Sequence, residues 1–582
     1  MKNYKKVYAA FILAGGLILH GCNGIFDDLA INPNQPSMGA YFTSPSAVND
    51  AVMTMYGYMS TQRCLGASGS KTTIIRSDEA SSNSDYGKPG MFGADLNASY
   101  YTIEQPYTLM YTTASQASYI IETAPSVDFS GNEELRNAYM GEAYFWRAFA
   151  HYYLLINFRN ISPIRQMPRN GDDYVRPLEK PAAVWNFIQE DLAHAKELLP
   201  VKGYWDSKNA GRVTKASAAA LLGKAYLYRS GIEQYYGEDK TTFYSEAAKE
   251  FGDVIDGKYG TYDLTKNYAD NFDVAHENNE ESILEFQFLG DVDNAGFNPG
   301  LATSGLAFDS RGLMLPGAGV GYEGVVHNWL YNAFVNSVDK DGYTDIRMFS
   351  TMIFNDLDAS IHLRNDAGGN PIRLKGPGGY KWEELYPAKN GKEGFATVSN
   401  PLAHPFKAGI RKGIDCSMPT QTEADGTPKL VGVGAGVKEY VYNQPRAHGV
   451  NWRYIRYADV LMMYAEAVVS GGTQASNMTP LQAVNKVRGR VNMSELPSVT
   501  MADIQNERIL EFALEGHRFY DLLRWGKLAS RFTELQESDP NFKKFISADD
   551  FKGFVTNKHE WLPIPINEVN SNPYITENNP GY

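Results

Sequence analysis

Residues 456–525 constrain the fold more than any other stretch of this chain. They read RYADVLMMYAEAVVSGG, then LQAVNKVRGRVN, then IQNERILEFALEGHRFYDLLRW. In the first piece Leu461, Met462, Ala465 and Val468 or Val469 recur at helical spacing. Gly471 and Gly472 break that helix, and Ala483, Val484 and Val487 resume the spacing, which predicts an antiparallel helix pair. The third piece predicts one long helix over 504–525. Ile504, Leu510, Leu514, Phe519, Leu522, Leu523 and Trp525 give it a broad apolar side, while Glu507, Glu511 and Glu515 line another face four apart. A helix this aromatic and this charged has to be clamped between other elements.

The same pattern recurs upstream. Helices are expected over 46–59, 105–122, 133–158, 183–199, 215–230 and 243–256. Leu222-Gly223-x-x-Tyr226 and Ala247-x-x-x-Phe251 match the two helices of a tetratricopeptide unit, and Met140-Gly141-x-x-Tyr144 is a looser copy. In such a unit the small residue lets two helices approach and the aromatic wedges between neighbours. The expected fold class is therefore mainly α: about four irregular tetratricopeptide-like helix pairs (46–122, 140–199, 215–256 and 457–490), with 504–525 as the cap. Two irregular regions interrupt them. Residues 63–101 are rich in Gly, Ser and Asn, and 257–452 is a Gly- and Pro-rich insertion with short β-like runs such as SILEF at 282–286. In domain terms, 41–582 reads as one unit, with its scaffold at 41–256 and 453–530, a loop-rich ligand-facing region at 257–452 and an extended tail at 531–582.

The N-terminus carries a different message. Lys2, Lys5 and Lys6 precede an apolar run from Val7 to Leu19, followed by Leu19-His20-Gly21-Cys22. That run suits a secretory signal and is too short to cross a membrane as a helix. The last four residues resemble a bacterial lipobox, which makes 1–21 a signal peptide, Cys22 the lipidated residue and 22–40 a tether. An ordinary secretory signal with a chance cysteine is the other reading. Acyl chains on Cys22 would hold the protein on a membrane at ~0.8 kcal/mol for each buried CH₂. Of the other two cysteines, Cys64 and Cys416, the sequence leaves open whether they pair or stay buried.

A formal net charge of −13 repels phosphate and excludes nucleic acid as a partner class. Phosphate-binding glycine loops, HExxH, GxSxG and paired-cysteine metal spacings are all absent, so neither a catalytic residue nor a cofactor is expected. Asp78-Glu79 are adjacent, which suits a solvated or capping role better than carboxylates flanking a scissile bond. His517 and the charges around it read as packing groups. Binding chemistry points instead to aromatics in the irregular regions, since sugar rings stack on Trp and Tyr while Asn takes hydroxyls. The candidates are Tyr86, Asn97 and Tyr100 in the first region and Phe297, Trp329, Tyr331 and Trp382 in the second.

Several pieces in this order resemble the SusD/RagB family of nutrient-binding outer-membrane lipoproteins. They are Leu19–Cys22, Ser77-Asp78-Glu79, GEAYFWRAFAHYYLLINF at 141–158, EESILEF at 280–286, 456–467, 507–525, LPIP at 562–565 and NNPGY at 578–582. The resemblance implies a tetratricopeptide-supported helical fold, a lipid anchor and capture of glycans or peptides at the cell surface. It also implies docking on a SusC-like TonB-dependent transporter, with the repeat helices meeting the barrel and the loops meeting ligand. An envelope adaptor that organises other proteins is the alternative, and the two large irregular regions argue against it.

Overall fold

A computed structural model describes residues 42–82 (apart from 62, 67, 68 and 70), 92, 96–288, 323–375, 407–412, 450–539 and 554–582, with isolated short pieces between 308 and 448. The expected signal, Cys22 and the tether lie outside the described residues, as do Tyr86, Phe297, Trp382 and Cys416. Cys64 is a buried free thiol.

The fold is mainly helical, as the spacing predicts. Helix α1 (Pro45–Met59) starts on Ser44, whose side chain accepts the Ala47 N–H, and buries Val48, Val52, Met55 and Met59. Then follow α2 (Tyr101–Thr123), α3 (Glu133–Phe158), α4 (Pro181–Leu198), α5 (Lys215–Tyr236) and α6 (Tyr244–Ile255). From α2 onward each packs on the next in chain order. The last, α6, packs across the insertion on a helix from the C-terminal part. Helices α3 and α5 are buried on almost every side, from Gly141 to Phe158 and from Ala216 to Glu233, so they form the inner columns.

The glycines of the repeat pattern act as expected. A Cβ on Gly223 of α5 would stand 2.7 Å from the Phe251 ring of α6, and one on Gly141 of α3 would stand 2.9 Å from Leu199. Only hydrogen fits at these crossings.

The insertion is tied off at its root. Strand β1 (Ala80–Ser82) belongs to the first irregular region, and β2 (Ser282–Phe286) opens the second. Among the further strands within the insertion are β3 (Glu323–Val326), β4 (Met352–Phe354) and β5 (Ala408–Ile410), and β6 (Trp452–Arg456) closes it. Antiparallel pairing of β2 with β6, Trp452 opposite Phe286 and Arg456 opposite Ser282, closes the long excursion back on itself. A four-stranded antiparallel sheet in the order β1-β3-β5-β4 binds the first irregular region to the second. Helix α7 (Asn328–Val335) follows β3 directly.

The C-terminal part comprises α8 (Tyr457–Val469), α9 (Pro480–Arg490), α10 (Met501–Glu511), α11 (Arg518–Arg524), α12 (Leu528–Ser538) and α13 (Ile566–Ser571). Two expectations are corrected here. The long helix over 504–525 is two helices, because residues 512–517 turn out of helical geometry with Leu514 at φ 61° and Gly516 at φ 84°. A leucine in the left-handed region is held there by tertiary contact: its N–H donates to Glu79 Oε1 at 2.8 Å. Residues 531–582, expected as an extended tail, begin within α12, whose Leu528, Phe532 and Leu535 are buried. Part of the C-terminal segment is seated in the core: residues 561–565 are buried, Leu562 N–H donates to the Asn157 carbonyl, and buried Asn579 donates through Nδ2 to the carbonyls of Phe158 and Leu562.

Glu507, Glu511 and Glu515 belong to a buried ion network. Arg347 reaches Asp345, Glu507 and Glu511; Arg456 reaches Glu281, Glu511 and Glu515; Arg490 reaches Glu281 and Glu511. Arg488 pairs with Glu507 and Lys412 with Glu515. Five cations (347, 456, 490, 488, 412) meet five carboxylates (345, 281, 507, 511, 515), so the network is neutral. Arg347 and Lys412 come from the insertion and three of the acids from 507–515, so these pairs clamp insertion to scaffold.

Candidate functional site

The two irregular regions converge on Asp78 and Glu79. The solvated role expected from the sequence does not hold: Asp78 is 0% and Glu79 2% exposed. A π-helical turn, Lys71–Ile75, leads into them, and residues 72–81 are buried throughout. Asp78 takes Arg518 Nε at 2.9 Å and Arg531 Nε at 2.6 Å. Burial alone would raise its pKa, but these two guanidinium groups outweigh burial and hold it below the usual carboxylate range. Glu79 is shifted the other way. Burial pushes it up to about 8 despite the Leu514 N–H it accepts, and the Asp78 charge adds to the rise. At neutral pH, then, one acid of the pair is an ion and its neighbour carries a proton.

Above them sits the start of α7. The His327 N–H donates to the Glu79 carbonyl at 2.9 Å, just beyond the β1–β3 ladder. Its ring Nδ1 lies 2.7 Å from the Asp78 carbonyl, which can only accept, so Nδ1 carries the proton and Nε2 accepts from the Ser81 hydroxyl. Burial lowers the His327 pKa to about 4, which keeps the ring neutral. A serine beside a neutral histidine is the start of a nucleophile–base pair. Here both are 1% exposed and a substrate has no approach, so the pair serves to fasten the two regions. His517, also buried and well below its ordinary pKa through burial, sits 3.4 Å from Lys224 Nζ in the same structural role.

Trp329 donates its indole N–H to that same Asp78 carbonyl and lies under Arg531, whose Cζ is 4.2 Å from the ring centroid. It is half-buried. Tyr331 is not a surface residue at all. With Leu330 and Phe334 it forms the inward face of α7, 2% exposed, its hydroxyl 3.4 Å from Asp358. Helical spacing of those three residues was the available signal.

Asn97 and Tyr100 share the turn that opens α2. Asn97 Oδ1 accepts the Ser99 N–H and its carbonyl accepts the Tyr100 N–H. Asn97 is exposed, and Tyr100 is half-buried beside Tyr101. This turn abuts α13, since Ile566 N–H donates to the Ala98 carbonyl. The candidates thus divide between two supports, the α2 turn and the α7 start. The sequence pointed to neither His327 nor Arg531; a positional signal for them is absent because their partners lie some 250 and 450 residues away. Among the described residues, groups of three His, Cys, Asp or Glu side chains suited to a metal ion are absent.

Two family models match this chain. One, described as "Starch-binding associating with outer membrane", covers residues 31–227, and the SusD family model covers 428–582. A SusD-like protein of Bacteroides ovatus is 25% identical over 90% of this chain and 83% of its own length. The crystal structure of a SusD superfamily protein from Bacteroides vulgatus matches with a TM-score of 0.66 at 22% identity, over 93% of this chain and 100% of that one. A laminarin-binding SusD-like protein matches with a TM-score of 0.61 at 22% identity, over 93% and 100%.

Proposed function

This chain belongs to the SusD-like family, and from that premise we propose that it is a non-catalytic surface lipoprotein that captures an oligosaccharide or polysaccharide. It hands that glycan to a SusC-like TonB-dependent transporter in the outer membrane, to which acylated Cys22 anchors it. The observation that carries this reading is the likeness of fold over 93% of the chain to a protein named for binding laminarin. The starch-binding, membrane-associating description of the model over 31–227 points the same way. Some of the solved structures it resembles are named as laminarin-, glycan- or carbohydrate-binding proteins.

Ligand contact falls to aromatics of the two irregular regions. Trp329 is the stronger described candidate, because its indole is locked by the Asp78 carbonyl and Arg531 in an orientation that needs no ordering on binding. Tyr100 and Asn97 supply a ring and an amide on the α2 turn. Tyr86, Phe297 and Trp382 complete the proposed set, and Tyr331 supports α7 from inside.

The test is affinity for a glycan panel by calorimetry, with Trp329→Ala and Tyr100→Ala alongside, and copurification from detergent-solubilised membranes. Binding of one glycan class, weakened in at least one variant, and a copurifying TonB-dependent barrel are expected. The proposal fails if the protein binds neither glycan nor peptide and no barrel accompanies it; unchanged affinity in both variants removes the site from these residues.

A further inference from the structure

The peptide bond between Asp78 and Glu79 carries the orientation of Trp329. Its carbonyl accepts both the Trp329 indole N–H and the His327 ring N–H, so the tilt of this one peptide sets the indole. Glu79 sits on the other side of the same peptide, 2% exposed, with its Oε1 accepting the Leu514 N–H at 2.8 Å. The partner of its second oxygen fixes where its proton lies.

That partner is Ser77. The Ser77 hydroxyl donates its one proton to the Ile74 carbonyl at 2.7 Å, and one of its lone pairs takes the Glu79 N–H at 3.1 Å. The other lone pair faces Glu79 Oε2 at 3.2 Å. Two lone pairs cannot make that contact, so the proton comes from Glu79 and the acid is neutral. Removing it puts a second negative charge beside buried Asp78 and sets two bare oxygens against each other. The nearby cations already have partners. Arg518 of α11 and Arg531 of α12 are bound to Asp78. Lys412, below the turn at 512–517, is engaged by Glu515, the Ala513 carbonyl and the Tyr268 hydroxyl. Burial keeps His327 at the start of α7 and His517 in the turn neutral.

Repulsion at an ionised Glu79 falls on the peptide it shares with Asp78, and Trp329 hangs from that peptide. We propose that protonated Glu79 is a positioning residue for Trp329, so that the site holds its glycan with full affinity only while that proton is in place. The inference rests on the reading of Trp329 as a ligand contact, and it gives that contact a response to alkaline conditions. Asp78 does not share the role, because its two guanidinium partners keep it ionised throughout.

The experiment is fluorine NMR of the full protein labelled with fluorotryptophan, titrated from neutral to alkaline pH. The wild type is compared with Glu79→Gln and with Trp329→Phe, whose missing resonance assigns Trp329. Glutamine keeps both contacts, since its amide N–H donates to Ser77 Oγ and its carbonyl accepts from Leu514, so the variant folds. The Trp329 resonance is expected to shift in the wild type with a midpoint near 8, where burial places Glu79, and to stay fixed in Glu79→Gln. In parallel, affinity for starch, laminarin, xylan, inulin and mannan is measured below and above that midpoint. The polysaccharide that binds is expected to lose about two- to tenfold in affinity on the alkaline side, the scale of ordering one aromatic side chain on binding, and to lose nothing in Glu79→Gln. A Trp329 resonance fixed in the wild type overturns the proposal. So does one that titrates equally in Glu79→Gln, which would assign the transition to Lys412, lowered by burial to about 8. Wild-type affinity indifferent to pH overturns it as well. Should none of these polysaccharides bind at either pH, the capture reading fails, and the resonance still decides whether Glu79 positions Trp329.

Discussion

Replacing Glu511 by glutamine tests whether the buried ion network holds the insertion to the scaffold. The Glu511 side chain is 0% exposed and accepts Arg347 Nη1 at 2.9 Å, Arg456 Nη1 at 2.6 Å and Arg490. Glutamine keeps the shape but removes the charge, so a neutral set of ten ions becomes one with a net +1 and three guanidinium groups sharing too few acceptors. Removing one member of a buried pair costs about 3–5 kcal/mol, because the remaining charge stays desolvated. Equilibrium unfolding in urea at pH 7, followed by circular dichroism, reads this as a midpoint lowered by about 0.5–1 M, since the m-value grows with chain size. Limited proteolysis should find new cuts within 257–452, since Arg347 and Lys412 then hold the insertion less firmly. Glu238→Gln is the control: its partner Lys180 and Glu238 itself are 83% and 90% exposed, so the change should stay within ~0.5 kcal/mol. A Glu511→Gln loss no larger than that of the control would refute the reasoning. The same carboxylate sets a pH dependence. Burial would raise its pKa, but Arg490, Arg456 and Arg347 outweigh burial and depress it, so its stabilisation is present above the unfolded value of ~4.3 and disappears as pH falls below it.

Three further outcomes follow from single contacts. Glu79 runs opposite to Glu511: its folded pKa is raised to about 8, so the stability it confers is complete below ~4.3 and is lost as pH rises toward 8; Glu79→Gln should raise the melting temperature at pH 8 and flatten that slope. Gly223→Ala puts a methyl 2.7 Å from Phe251 and should destabilise by about 1–3 kcal/mol despite alanine's better helix propensity, whereas Gly57→Ala, with open space around it, should stabilise by ~0.5–1 kcal/mol; thermal melts of both decide. Cys22→Ala should release the protein from the membrane fraction, and persistence there would rule out the lipid anchor.

Local spacing made much of the scaffold legible. Gly223 and Phe251, Gly141, and the pair 457–469 and 480–490 sit where helical periodicity puts them. Where long-range contact overrides local pattern, the sequence misleads. Apolar periodicity runs unbroken through 504–525, yet Glu79, over 400 residues away in the chain, catches the Leu514 N–H and turns the chain there. Asp78 and Glu79 look like surface charges until Arg518 and Arg531 arrive from the far end of the sequence. Tyr331 was a different kind of error, since Leu330 and Phe334 beside it already marked an inward helix face. Trp329, two residues before Tyr331, points off that face, and only the fold shows that Asp78 and Arg531 orient it.

The central claim is capture of glycan without turnover. Affinity electrophoresis through gels containing starch, laminarin, xylan, inulin or mannan, paired with a reducing-end assay of the same mixtures, tests it most directly. The account predicts retardation by at least one polysaccharide, reduced in Trp329→Ala, with no new reducing ends over prolonged incubation. Migration unaffected by every polysaccharide, or reducing ends released by the purified protein, would contradict it.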